Sequence, residues 1–180
     1  GKLAPFNQLR LVDDNGNDVP QGEKGELVFH GKLLFSGYWN NPEASKAMFD
    51  ENGWVHSGDV AYFDKDGFCY IAGRKKNMFI SGGENIFPQE IEDVIMGITG
   101  ILEACVIGVP DIKWGEVGKA LIVLAPGFEM TKEDIIKAVK DNLSTIKVPK
   151  YVSFMNEIPK NATGKRNLEE LHKLFGQAKD

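Results

Sequence analysis

The segment from Gly73 to Glu92, GRKKNMFISGGENIFPQEIE, constrains the fold most, because the pattern of the chain changes there. Short apolar runs separated by turn residues come before it, which is typical of antiparallel strands. Strand-like and helix-like patterns alternate after it, so two parts of different architecture are predicted. The segment itself joins three cations at 74–76, a strand-like run from Met78 to Ile80, and the pair Gly82 and Gly83.

The end of this segment predicts a helix. Pro88 lacks the amide hydrogen that the first helical turn leaves unbonded, and its φ angle is already helical. Ile91, Val94 and Ile95 then follow at helical spacing. The glycine pair allows a ligand to approach the main chain closely. A cationic turn, a strand, two glycines and a helix start together suit a phosphate-bearing ligand, although three consecutive cations also suit a solvated turn.

The first part of the chain is predicted to be rich in β-strands. Asn15-Gly16 between apolar runs is a strong hairpin signal. Asn41 followed by Pro42 predicts the start of a short helix. Strand-like runs lie at residues 9–12, 26–30, 54–56, 60–63 and 68–72. We therefore expect several short antiparallel strands in a barrel-like or sandwich-like sheet.

The second part is predicted to be a small α+β domain. Thr131 is a good N-cap for a helix whose apolar residues recur every four positions, and residues 168–175 predict a terminal helix. Strand-like runs lie at residues 102–109, 120–124 and 151–155. The whole chain is thus predicted to be α+β, with the boundary between its parts at residues 74–76.

Composition narrows the range of functions. A formal net charge of −5 over 180 residues argues against a nucleic-acid-binding surface spread over the chain. No apolar run reaches the length of a membrane span and no signal peptide is visible, so a cytoplasmic location is expected. Cys69 and Cys105 lie in apolar runs, which suits core residues of a reduced compartment. The histidines are far apart and no CxxC occurs, so no metal site is predicted.

Four residues suit a binding or catalytic role but also have plainer interpretations. The carboxylate of Asp59, after Gly58, can accept hydrogen bonds from two ribose hydroxyls or can cap a turn. Trp114 suits an interface or a core, and Lys150 suits a phosphate or a solvated loop. Lys165 ends a Thr-Gly-Lys run, where a cation would stabilise charge gathering on phosphate oxygens. The upstream glycine of a Walker motif is missing there.

Four motifs in a fixed order resemble the adenylate-forming enzymes: HSGD at 56–59, GR at 73–74, GGENIFPQEIE at 82–92 and PKNATGK at 159–165. That family includes the acyl-CoA synthetases, firefly luciferase and the adenylation domains of peptide synthetases. The third motif most resembles the acyl-CoA synthetase branch, and the resemblance covers nearly all 180 residues. After the last lysine the family usually shows an apolar residue and then arginines, whereas this chain continues with RNLE at 166–169.

The resemblance implies a role for each candidate residue. Lys165 would be the lysine that serves adenylation. Asp59 would bind the ribose of ATP, Arg74 would contact the nucleotide, and Lys76 would occupy the hinge. The channel for the pantetheine arm of CoA would be lined by Gly82, Gly83, Asn85, Trp114 and Lys150.

The resemblance also implies a domain arrangement and a reaction. Residues 1–73 would end a large N-terminal domain, 74–76 would be a hinge, and 77–180 would form a small mobile α+β domain. The parent would convert a carboxylic acid, ATP with its Mg²⁺, and CoA into acyl-CoA, AMP and pyrophosphate through an acyl-adenylate. A fatty acid is the expected acid. The family's phosphate loop and acyl pocket lie upstream of Gly1, so the isolated chain is expected to be inactive without that N-terminal domain.

Three alternatives remain open at the level of sequence. The parent could load the phosphopantetheine of a carrier protein instead of CoA. It could be a luciferase-like oxygenase, which would emit light. The chain could also be a non-catalytic module that binds a nucleotide or CoA.

Overall fold

The chain divides into two units, Gly1–Lys76 and Asn77–Asp180. This division is seen in a computed structural model, which describes residues 1–3 and 5–178. A short 3-10 turn, Lys75–Asn77, spans the division. Among the described helices the longest has 11 residues, and none has the length and apolarity needed to cross a bilayer.

The described residues of the first unit form one antiparallel sheet and one short helix. The elements are β1 (Asn7–Val12), β2 (Gly25–Gly31), α1 (Pro42–Met48), β3 (Val55–Phe63) and β4 (Cys69–Arg74). The strands pair in the order β1-β2-β3-β4, and each pair is antiparallel. Leu11, Leu27 and Ala61 form the buried centre on one face. The sheet is open instead of closed into the barrel-like form expected, since four strands are too few to curl round a packed interior.

Strand β3 differs from its sequence pattern. Residues 54–56 and 60–63 read as two strands, but they form one strand that continues through the polar residues between them. Gly58 takes a left-handed φ of +71°, and the pairing with β4 shifts register between Val60 and Ala61. Asp59 therefore lies inside a strand next to an irregularity, and not between two separate strands.

The second unit is built on a long central hairpin. Its elements are β5 (Phe79–Ser81), β6 (Glu84–Ile86), α2 (Pro88–Met96), β7 (Ile101–Asp111), β8 (Gly115–Leu124), α3 (Lys132–Asn142), β9 (Tyr151–Phe154) and α4 (Leu168–Phe175). Strand β7 pairs along one edge of β8. The other edge of β8 is shared, because β5 bonds at its first residue and β9 pairs in parallel from Lys119 to Ile122. The predicted α+β class is confirmed.

Both faces of the central hairpin are covered, because successive side chains of a strand point to opposite sides. Ala104 and Val106 face the core that holds Ile91 of α2 and Ile135 of α3. The intervening residues face a second core that holds Leu171 of α4. Helices on both faces account for the nearly continuous apolar runs of β7 and β8.

Candidate functional site

Asp59 and Arg74 meet across the last two strands of the first unit. They are paired in the register of β3 and β4, and Arg74 Nε lies 2.7 Å from Asp59 Oδ1. Arg74 Nη1 also donates a hydrogen bond of 2.9 Å to the Ser57 carbonyl oxygen. The Asp59 side chain is 30% exposed and that of Arg74 is 51% exposed. The pair is therefore oriented by the sheet and still accessible to a ligand.

The backbone before Asp59 is fixed by side chains. The Ser57 hydroxyl accepts a hydrogen bond from the Asp59 amide at 3.0 Å and donates one to the Leu27 carbonyl oxygen at 2.6 Å. The Gly58 amide donates to Glu26 Oε1 at 3.3 Å. These contacts hold the left-handed turn at Gly58, which would strain a residue with a Cβ atom. They determine the direction in which the Asp59 carboxylate leaves the strand.

Glu26 connects the turn at Gly58 to the cationic segment at 74–76, and nothing in the local sequence predicted this. Its Oε1 lies 3.3 Å from His56 Nδ1, and its Oε2 lies 3.1 Å from Lys75 Nζ. Lys75 also pairs with Asp14 at 2.8 Å. Burial alone would raise the pKa of the Glu26 carboxyl, but the hydrogen bonds from Lys75 and His56 outweigh it and hold that pKa below its usual value.

The glycine pair forms the turn between β5 and β6. Gly82 and Gly83 have φ angles of +57° and +86°, which is the left-handed region that glycine tolerates. The Gly82 amide donates to the Trp114 carbonyl oxygen at 2.8 Å. A Cβ atom on Gly82 would lie 2.8 Å from Trp114 Cε3, whereas one on Gly83 would meet no described heavy atom within 4 Å. Asn85 lies exposed in β6, opposite Ile80.

The turn between β7 and β8 carries Trp114, and Asp111 organises it. Asp111 Oδ1 accepts hydrogen bonds from the amides of Lys113 and Trp114 at 2.9 and 3.0 Å, and its Oδ2 accepts one from Lys150 Nζ at 2.5 Å. The Lys150 ammonium, and after it the Trp114 amide, lower the pKa of the Asp111 carboxyl. The Trp114 side chain remains 42% exposed. Lys150 is thus joined to the Trp114 turn through Asp111, a residue that sequence analysis did not select.

Lys165 lies on a small hairpin of residues 159–167. The Asn167 amide bonds to the Pro159 carbonyl oxygen, and the Asn161 amide bonds to the Lys165 carbonyl oxygen at 2.7 Å. Asn161 Oδ1 accepts from the Thr163 amide, the Thr163 hydroxyl and the Lys165 amide, all within 3.0 Å. One side-chain oxygen therefore fixes the whole tip of the hairpin.

The Lys165 side chain is exposed at this fixed position. Within residues 1–3 and 5–178 its ammonium makes no hydrogen bond or ion pair, unlike the ammonium groups of Lys75 and Lys150. A compact cation held ready without a partner suits a phosphate. Lys76 is also exposed, in the 3-10 turn that ends the first unit.

Apart from Lys76, the candidate residues fall into three local arrangements. Asp59 and Arg74 form the first. The second contains Gly82, Gly83, Asn85, Trp114 and Lys150. Lys165 forms the third, on its own hairpin. Across the described part of the chain, no group of three or more His, Cys, Asp or Glu side chains could hold a metal ion.

Two family models match the sequence. The model described as "AMP-binding enzyme" matches residues 1–39, and the one described as "AMP-binding enzyme C-terminal domain" matches residues 90–165. The second match includes the PKNATGK motif at 159–165 and the end of the GGENIFPQEIE motif. The chain therefore belongs to the AMP-binding, or adenylate-forming, enzymes.

The curated relatives are ligases that form acyl-CoA. The feruloyl-CoA synthase of Amycolatopsis sp is 43% identical over 95% of this chain and 35% of its own length. The long-chain-fatty-acid–CoA ligase FadD13 of Mycobacterium tuberculosis is 43% identical over 92% of this chain and 32% of its own length. The chain thus spans about a third of the length of these relatives.

A solved structure supports the same assignment. The o-succinylbenzoate CoA synthetase MenE of Bacillus subtilis, in complex with its acyl-adenylate intermediate, superposes with a TM-score of 0.88. It is 33% identical, and the match covers 95% of this chain and 34% of MenE. The fold of the described residues is therefore that of the corresponding part of an acyl-CoA ligase.

Proposed function

We propose that the chain is the C-terminal part of a longer ligase that joins a carboxylic acid to CoA through an acyl-adenylate. The observation that carries this proposal is the state of Lys165. Its ammonium is exposed, unpaired among the described residues and held on a fixed hairpin. The motif PKNATGK, which Lys165 ends, resembles the motif that carries the family's adenylation lysine. A cation placed in this way loses little freedom when it meets a phosphate.

In the first half-reaction a carboxylate oxygen attacks the α-phosphorus of ATP, and the bond to pyrophosphate breaks. Negative charge gathers on the phosphate oxygens, so the Lys165 ammonium is worth more in the transition state than in the ground state. Asp59 would accept hydrogen bonds from the ribose hydroxyls, and Arg74 would hold that carboxylate in place while contacting the nucleotide. The Mg²⁺ would arrive with the phosphates of ATP and screen their charge.

In the second half-reaction the CoA thiol attacks the acyl carbonyl, and AMP leaves. The bare main chain at Gly83 would allow the pantetheine arm to pass close to the partly exposed Trp114. Asn85 would lie beside that path. Lys150 is paired with Asp111, so a phosphate of CoA would have to replace that carboxylate or share the ammonium with it.

The two half-reactions place different demands on the second unit. We propose that Lys76 belongs to a hinge, residues 74–76, about which residues 77–180 turn between the steps. The division of the chain after Lys76 and the short 3-10 turn there support this proposal. Lys165 would serve the first pose and the glycine turn the second, which is a gating motion of a common kind.

For the acid, a medium- or long-chain fatty acid is the first candidate, supported by the similarity to FadD13. An aromatic acid is the second, favoured by the equal similarity to feruloyl-CoA synthase. A screen of both classes on the full-length parent, with pyrophosphate release as the signal, would decide between them. AMP release with a carrier protein in place of CoA would test the acceptor, because AMP leaves only when the thiol attacks.

The decisive experiment replaces Lys165 by alanine in the full-length parent. Adenylate formation, followed by pyrophosphate release in a single turnover, should fall by about 10²–10³, since one charge-stabilising donor is lost. Thioester formation from added acyl-adenylate should stay within about twofold. Equal loss in both steps would refute the role given to Lys165. The isolated 180 residues should form no acyl-CoA, and robust ATP-dependent thioester formation by them would refute the proposal that they are incomplete.

A further inference from the structure

Arg166, the residue after Lys165, makes an ion pair with a buried carboxylate. Its Nη1 lies 2.5 Å from Oε2 of Glu92, and the two side chains are 38% and 6% exposed. Glu92 belongs to α2, and its second oxygen accepts the amide hydrogen of Val106 in β7 at 2.8 Å. Both oxygens of the carboxylate are thereby engaged, so its position between helix and strand is fixed.

The surroundings of this pair keep it charged. Burial alone would lower the pKa of the Arg166 guanidinium, but Glu92 outweighs burial and raises it. The Cys105 thiol lies against the pair, and burial raises its pKa to about 12, so it stays neutral. An ion pair in such a place is costly to desolvate and restricts geometry more than an apolar contact does.

Arg166 fixes the main chain next to Lys165. Arg166 and Lys160 form the bridge that closes the hairpin, and the Arg166 guanidinium is held at α2 by Glu92. On the other side of the same peptide, the Lys165 amide and carbonyl oxygen are both bonded to Asn161, so the backbone from which the Lys165 side chain leaves is held from two sides. Lys160 holds the opposite strand of the hairpin through an ion pair of 2.6 Å with Glu103.

We propose that the Arg166–Glu92 pair aims the adenylation lysine, which makes Arg166 a positioning residue for adenylate formation. This inference rests on the role proposed for Lys165. It also accounts for the departure noted at this position, where the family usually has an apolar residue. In this chain Arg166 stands at that position, and its hydrogen bond to Glu92, 74 positions earlier in the sequence, takes the place of the apolar contact.

The test uses the full-length parent and a pair of changes that leaves no unpaired buried charge. Arg166→Met alone would leave the buried Glu92 carboxylate without its cation. It is therefore combined with Glu92→Gln, which keeps an acceptor for the Val106 amide. Adenylate formation by this double variant should fall by about 10- to 100-fold, as expected when a reacting group is misplaced by about 1 Å. Thioester formation from added acyl-adenylate should change by less than about twofold. Arg166→Lys should recover part of the adenylation rate.

A matched control separates positioning from stability. Lys147→Met breaks another partly buried ion pair to α2, the 2.6 Å contact with Glu90, at a place remote in sequence from the hairpin. It should leave adenylation unchanged. An unchanged adenylation rate in the double variant, or equal loss of both half-reactions, would overturn the inference. If Lys165→Ala does not slow adenylate formation, both the proposed function and this inference are wrong. If Lys165→Ala slows it but the double variant does not, only this inference is wrong.

Discussion

Gly82 and Gly83 offer a matched pair of substitutions with different expected costs. Both residues have left-handed φ angles, and an L-residue in that region costs about 1–2 kcal/mol. Alanine at Gly83 would meet only that backbone cost, since its Cβ would contact no described atom within 4 Å. Alanine at Gly82 would also press on the Trp114 ring, at 2.8 and 3.0 Å from two of its carbons.

Overpacking of this kind costs about 1–3 kcal/mol. Because the Trp114 ring is 42% exposed and has room to shift, we expect the lower end of that range. Gly83→Ala should therefore lower the free energy of unfolding of the second unit by about 1–2 kcal/mol, and Gly82→Ala by about 1 kcal/mol more.

The assay is urea unfolding of the 180-residue chain, followed by the fluorescence of Trp114. A Trp39→Phe, Trp54→Phe background removes the other two tryptophans, both of which lie in the first unit. The slope m must stay constant for the midpoints to report stability. Equal decreases in the free energy of unfolding for the two variants would show that the contact with Trp114 does not affect stability. A larger decrease for Gly83→Ala would refute the reasoning. In the parent, Gly83→Val should slow thioester formation and spare adenylation, because it fills the proposed path.

Three further outcomes are expected. Because the folded pKa of Glu26 lies below its ordinary value of 4.5, its contribution to stability is present above that pH and is lost as the pH falls from there towards the folded pKa. Glu26→Gln should flatten the acid-induced loss of stability in the first unit, measured by circular dichroism; an unchanged slope would contradict this. Cys105, fully buried with a pKa of about 12, should resist iodoacetamide in the native chain and react after unfolding, as read by mass spectrometry; rapid native labelling would contradict its burial. Asn161→Ala removes the acceptor of the Lys165 amide, so that amide should exchange about tenfold faster by NMR; unchanged exchange would show that the hairpin tip does not depend on Asn161.

Local signals in the sequence predicted the helices well. Pro88 begins α2 as expected, and Asn41 caps α1 by accepting from the Ala44 amide at 3.0 Å. Thr131 caps α3 in a reciprocal arrangement with Asp134. The residues that decide these helix starts lie within one turn of each other, so a short window contains the information needed.

Strand limits depended on partners that a short window does not contain. Strand β8 begins at Gly115, five residues before its apolar run, because β7 supplies a partner along its whole length. Strand β6 was not predicted, since its three residues are fixed mainly by pairing with β5. The pairing of β3 with β2 and β4 likewise carries it through its polar residues.

The candidate site residues were likewise predictable from local motifs, whereas their supporting partners were not. The motifs identified Asp59, Arg74 and Lys165 as candidates, and their assigned roles stay predictions. The residues that hold them in place were missed, because their partners are distant in sequence. Glu26 reaches Lys75 across 49 positions, and Glu92 reaches Arg166 across 74. Only a folded chain brings such carboxylates to the groups they support.

The shared edge of β8 has a consequence for synthesis on the ribosome. Its first residue bonds to β5, near the start of the second unit, and its later residues bond to β9, near the end. The backbone groups of β8 that await β9 remain open until Tyr151–Phe154 has emerged. A nascent chain that stalls before this point exposes an apolar strand edge, which is a template for aggregation. Chains cut before residue 151 should accordingly accumulate in the insoluble fraction, while those that extend past α4 do not.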